Sequence, residues 1–147
     1  VAGYNLSLDE SMTLADVLST LFSVLSDDSY VAVHAYLDRT SKVMADQLRE
    51  SVAVATNRPT TFGWGPRFLH STGQYHKGGP RTGVFIQLVC PSQKDVGVPG
   101  RDFTFGELIS SQAAGDAKVL ADLGRPVLTL TLDNLNDGFS KIMTAIG

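Results

Sequence analysis

The 147-residue chain holds one cysteine, Cys90, so it cannot close an internal disulfide. That fits a reducing compartment, and the expected location is the cytoplasm. Cys90 itself reads as a buried strand residue, because a free thiol packs as a small hydrophobe. Blocks of like charge are also missing: 12 basic and 15 acidic residues are interspersed and give a net charge of -3. This leaves no electrostatic reason to expect nucleic acid or an anionic membrane as partner. The apolar runs are short and interrupted, so no segment is long enough to span a bilayer. A charged start followed by an apolar stretch, the mark of a secretory leader, is absent. Residue 1 is Val rather than Met, which suggests a processed chain or a piece of something longer.

What is present reads as one α/β domain over residues 1–147. Ser7-Leu-Asp-Glu10 and Thr13-Leu-Ala-Asp16 are helix-start patterns. Leu14, Val17, Leu18, Leu21, Phe22 and Leu25 then recur at helical spacing. Tyr30–Leu37 reads as a strand. A helix follows over Thr40–Ala55 with Met44, Leu48 and Val52 on one face, ended by Asn57-Arg58-Pro59. Thr60–Trp64 reads as a short strand, Gly83–Cys90 as a buried one, and Pro99-Gly100 as a turn. Thr104-Phe-Gly-Glu107 starts a helix that Gly124 ends. Val127–Leu132 is a further strand, and Asp133 can cap a last helix. Strands alternating with helices predict a three-layer α-β-α domain with a largely parallel sheet of about four to five strands.

The chemistry concentrates between two of these strands. Gly63–Gly83 holds six of the fourteen glycines, and so long a connection without regular structure of its own points to function. Arg67, His70, Ser71, Thr72, Gln74, His76, Lys77 and Arg81 lie between those glycines. A metal site is disfavoured, because His70 and His76 have no carboxylate or cysteine between them. No Gly-x-Ser-x-Gly elbow exists, and Ser71 directly follows His70, which disfavours a serine hydrolase. The order around Lys77 is not that of a phosphate-binding P-loop. Two readings stay open on the residues alone. One is a site for a polyhydroxylated anion, with Arg67, Lys77 and Arg81 for the charge, Ser71, Thr72 and Gln74 for hydroxyls, and a histidine to carry protons. The other is a structural glycine-rich loop whose histidines are hydrogen-bonded and inert.

The stretch Phe68-Leu-His-Ser-Thr-Gly-Gln-Tyr-His-Lys-Gly-Gly-Pro80 resembles glucose-6-phosphate isomerases, above all the form fused to transaldolase. In the same order Asp28-Ser-Tyr-Val-Ala-Val-His-Ala-Tyr-Leu37, Gly83-Val-Phe-Ile-Gln87, Pro99-Gly100, Phe103-Thr-Phe-Gly106, Gln112-Ala-Ala-Gly-Asp116 and Gly124-Arg-Pro-Val-Leu128 resemble its C-terminal region. The resemblance covers roughly residues 27 to 132. It implies a sugar isomerase-like fold and interconversion of glucose 6-phosphate and fructose 6-phosphate, in glycolysis, gluconeogenesis and the pentose phosphate pathway. It also implies that His70 opens the sugar ring by proton transfer. Ser71 and Gln74 match the same motif as substrate contacts, and His76 and Lys77 match only the fusion-type form. Arg67 and Thr72 join them as candidate substrate-binding residues. No cofactor and no metal are implied.

The departures are specific. The family's base is a Glu in a Gly-Glu-x-x-Gly-Lys-like context, and Glu10, Glu50 and Glu107 do not match it. The lysine that follows an Asn-Pro-Phe-Asp-Gln-like segment and the Ser/Thr-rich phosphate loop have no counterpart. A transaldolase would need a Schiff-base lysine in a barrel, which Lys42, Lys77, Lys94 and Lys118 do not supply. The expectation is therefore a C-terminal piece of a larger isomerase, inactive alone, whose partners are the sugar phosphate and the remaining domains of its parent. The alternative is a non-catalytic sugar-phosphate-binding or structural C-terminal domain of a transaldolase/isomerase fusion.

Overall fold

The structure, a computed structural model, describes residues 1–38, 42–91 and 94–147. Its elements run β1 (Ala2–Tyr4), α1 (Leu14–Ser23), β2 (Tyr30–Tyr36), α2 (Lys42–Thr56), β3 (Thr60–Trp64), a short 3-10 helix (Arg67–His70), α3 (Thr72–Gly78), β4 (Gly83–Val89), α4 (Phe105–Asp122), β5 (Val127–Thr131) and α5 (Leu135–Ile146). The five strands form one sheet in the order β1-β5-β4-β2-β3. Every neighbouring pair is parallel except β1 with β5. The expected three-layer α/β fold is the observed one.

Alternation along the central strands builds the layers, because successive side chains leave a strand on opposite faces. Val31 and Val33 of β2, Val84, Ile86 and Leu88 of β4, and Leu128 and Leu130 of β5 meet α1, α2 and α5 in the main core. The opposite face presents Ala32, Phe85 and Val127 to Ala117 and Leu120 of α4. It also carries two polar groups that the parity of the strands forces inward, His34 and Gln87, each 1% exposed. Gln87 is satisfied: its amide donates to Ala113 O (2.9 Å), and its oxygen accepts from the Thr129 hydroxyl (3.1 Å).

Local signals set most helix ends. Thr13 with Asp16, and Thr104 with Glu107, close reciprocal capping boxes, each worth about 1 kcal/mol. Gly124 takes φ 74° after α4, where a Cβ would be strained.

Several expectations need correction. Ser7–Glu10 starts no helix; the Asp9 carboxylate accepts from the Ser11 amide and hydroxyl and holds a turn instead. Asn134, not Asp133, caps α5, accepting from the Asp137 amide. The second helix is described from Lys42 to Thr56, and its expected start at Thr40 lies outside the described residues. Strand β1 was not expected. Cys90 is half-buried just beyond β4 rather than inside a strand. The connection Gly63–Gly83 is not irregular, since it holds the 3-10 helix and α3.

Candidate functional site

The connection leaves the carboxyl end of β3 through a cis Gly65–Pro66 bond. A Cβ at Gly65 would lie 2.5 Å from the Tyr36 ring, so only glycine lets the backbone cross that ring. Phe68 is the buried knob of the 3-10 helix, its ring centroid 4.1 Å from that of His34. Gly73 passes close over it, where a Cβ would meet Phe68 O at 3.0 Å. With Phe68 and Gly73 pointing in, helical geometry turns Arg67, His70, Ser71, Thr72 and Gln74 outward, and all five are exposed. Two of them also brace the junction of the two helices. The Gln74 amide donates to Leu69 O (3.0 Å), and the Ser71 hydroxyl donates to Phe68 O (3.3 Å).

His76 and Lys77 do not join that surface. Both turn toward the sheet and α4. Lys77 Nζ lies 2.6 Å from Asp116 Oδ1, and His34 Nδ1 lies 3.4 Å from Asp116 Oδ2. On the far side of His34, its Nε2 lies 3.0 Å from His76 Nδ1. The carboxylate fixes the proton positions. His34 keeps its hydrogen on Nδ1, facing Asp116, so its Nε2 accepts from the Nδ1–H of His76. Lys77, Asp116, His34 and His76 thus form one chain from α4 through β2 to α3, buried except at the lysine.

Its electrostatics follow from burial. Desolvation lowers the His34 pKa below its ordinary 6.5, against the upward pull of Asp116. Desolvation, then the charge of His34, lowers His76 to about 4. Burial alone would raise the Asp116 carboxyl, but the contacts to His34 and Lys77 outweigh it and hold the group below 3.8. At neutral pH the chain is therefore one ion pair followed by two neutral imidazoles.

Arg125, 2% exposed, ties down the end of α3. Its guanidinium donates to Lys77 O (2.9 Å), Gly79 O (2.8 Å) and Pro80 O (2.8 Å), which takes up carbonyls that a helix C-terminus leaves unpaired.

A cleft of about 940 Å³ opens elsewhere, beyond the carboxyl ends of β2 and β4, between the first turns of α4 and α5. In open α/β sheets this edge, where successive connections diverge to opposite faces, is the usual place for a ligand. Arg67, His70, Ser71, Thr72, Gln74, His76 and Lys77 do not line it. Sequence reasoning placed the chemistry on the β3–β4 connection. It missed His34, Asp116 and Arg125, which organise that connection from below. A signal was there to read, since His34 stands alone among apolar residues in a strand and Asp116 sits among alanines and a glycine mid-helix. Among the described residues, no group of three His, Cys, Asp or Glu side chains is placed to hold a metal ion.

No protein-family model matches the chain. No curated protein is similar to it. Among solved structures it is similar to a hypothetical protein from Thermus thermophilus, with a TM-score of 0.71 and 15% identity over 90% of this chain. The chain spans 37% of that protein's length. A likeness at this identity is one of fold.

Proposed function

We propose that the chain is the His-bearing domain of a glucose-6-phosphate isomerase, with His70 as the group that opens the sugar ring. The observation that carries this is the exposure of His70, Ser71 and Gln74 together on a short segment whose underside is pinned by buried groups. Ring opening needs a proton delivered to the ring oxygen as the C1 hydroxyl loses one. An imidazole can exchange both near neutral pH. Ser71 and Gln74 flank it with a hydroxyl and a carboxamide, donors and acceptors suited to sugar hydroxyls. Arg67, one turn earlier, offers a planar cation for phosphate. His70 faces outward rather than into the cleft, so the remainder of the site and the base for the proton at C2 come from another surface.

A second reading, a non-catalytic C-terminal domain, is favoured by one observation. Lys77, which the resemblance makes a substrate contact, is already paired with Asp116.

Titration with fructose 6-phosphate or 6-phosphogluconate, followed at the His70 ring by NMR, separates the two. A saturable shift that is lost in Gln74→Ala supports the isomerase reading. A shift in the full-length parent but not in this chain places the site between domains. No shift in either, together with full parent activity in His70→Asn, overturns it.

A further inference from the structure

The cleft at the carboxyl edge of the sheet takes no part in the reading above, and its lining states a preference of its own. Its volume is that of a small-molecule site, and its floor is apolar, built from Leu37, Val89 and Ile109 among others. The polar groups of its wall do not suit an anion. The first turn of α4 would ordinarily attract one. Here it is filled by the chain's own carboxylates: Asp95 accepts from the Gly106 amide (2.8 Å) and Glu107 from the Thr104 amide (2.8 Å). The first turn of α5 is likewise capped by Asn134. Among the described residues, the carboxylates of Asp38, Asp95 and Glu107 and the ammonium of Lys94 line the cleft.

The thiol of Cys90 is also in the lining. Its pKa is raised by burial and then by the negative charge of Asp133. Tyr36 adds an aromatic wall. It is 2% exposed, and its hydroxyl has no hydrogen-bond partner among the described residues. A bare metal ion would need converging ligands, and no such trio is found among the described residues. A cation with an apolar body meets both the floor and the charge.

We infer that this cleft is a second ligand site, for a small organic ammonium compound carrying an apolar portion and no phosphate. It stands independently of the role given to His70.

The test uses three probes with one carbon skeleton, hexylammonium, hexanol and hexanoate, with inorganic phosphate as a fourth. Cys90 is the sole thiol, so its alkylation rate reports occupancy directly. Hexylammonium should slow alkylation saturably and shift the amide signals of Gly106 and Ser110. It should bind at least tenfold tighter than hexanoate and several-fold tighter than hexanol, and weaken as salt is added. Glu107→Gln keeps a capping side chain but removes a charge, so it should weaken the ammonium several-fold while leaving the amide spectrum folded. Asp38→Asn, outside any helix, repeats the test without touching a cap. His70→Asn should leave binding unchanged. Equal or tighter binding of hexanoate or phosphate, equal binding of hexanol, or no protection by hexylammonium at millimolar concentration would each overturn the inference.

Discussion

His34 Nε2 and His76 Nδ1 face each other at 3.0 Å across the junction of β2 and α3, and between them only one proton fits. The other side of His34 faces a carboxylate, and burial above all holds both imidazoles neutral. Charging either ring buries a cation among Phe68, Phe85 and Tyr30, a cost that the attraction of Asp116 does not cover.

A pH dependence follows, and its sign is fixed. Both histidines have folded pKa values below the ordinary 6.5, His76 at about 4. The unfolded chain therefore binds more protons over that interval. Their contribution to stability is complete above pH 6.5 and is lost as pH falls toward about 4. Asp116, also lowered, contributes above 3.8 and loses its share below that. Denaturant unfolding between pH 4 and 8 should show stability climbing with pH to about 6.5 and then levelling. Lys77, Asp116 and Arg125 are the charged groups around the pair. His76→Phe should flatten the climb, and an unchanged climb in that variant would show that the titrating groups lie elsewhere.

The Lys77–Asp116 pair is asymmetric, with the lysine partly exposed and the carboxylate side chain 1% exposed. Removing the lysine strands a buried charge. Lys77→Met should cost about 3 kcal/mol in denaturant unfolding, whereas Lys77→Met with Asp116→Leu should recover most of that loss. A loss in the double variant equal to the sum of the losses in Lys77→Met and Asp116→Leu alone would mean that the two groups are not coupled.

Arg125 serves three carbonyls at once, which a single ammonium cannot reproduce. Arg125→Lys should cost about 2 kcal/mol, and it should speed amide exchange in α3 more than in α4. Uniform acceleration across both helices would place the role of Arg125 in general packing instead.

His70 has no such duty. His70→Asn should leave stability within about 0.5 kcal/mol of the parent sequence, as an exposed position allows. A large loss would expose a structural role and undercut its assignment to chemistry.

The parts of the fold that were legible in the sequence rest on local physics. Thr13 with Asp16 and Thr104 with Glu107 announce helix starts through contacts three residues apart. β-Branched and aromatic residues announce β2, an apolar run announces β4, and alternation with Thr announces β5. Asn134 displaces Asp133 as cap by a single position, a margin below the resolution of such patterns. The buried chain was illegible for a different reason. His34, His76 and Asp116 come from three elements, and only the parallel register of β2 with β4 and the crossing of α3 and α4 on one face bring them together. For the same reason, His76 and Lys77 read as surface chemistry when taken with their sequence neighbours. Their position in α3, beyond Gly73, is what turns them inward.

Strand β1 pairs with β5 from the opposite end of the chain, and Asn5 donates to Arg125 O across a separation of 120 residues. Closing so long a loop early in folding has a high entropic cost and brings only three paired residues in return. β1 thus adds little pairing of its own and serves chiefly to cover the edge of β5. Without β1, the outer edge of β5 would present unpaired backbone groups to any other strand that met it.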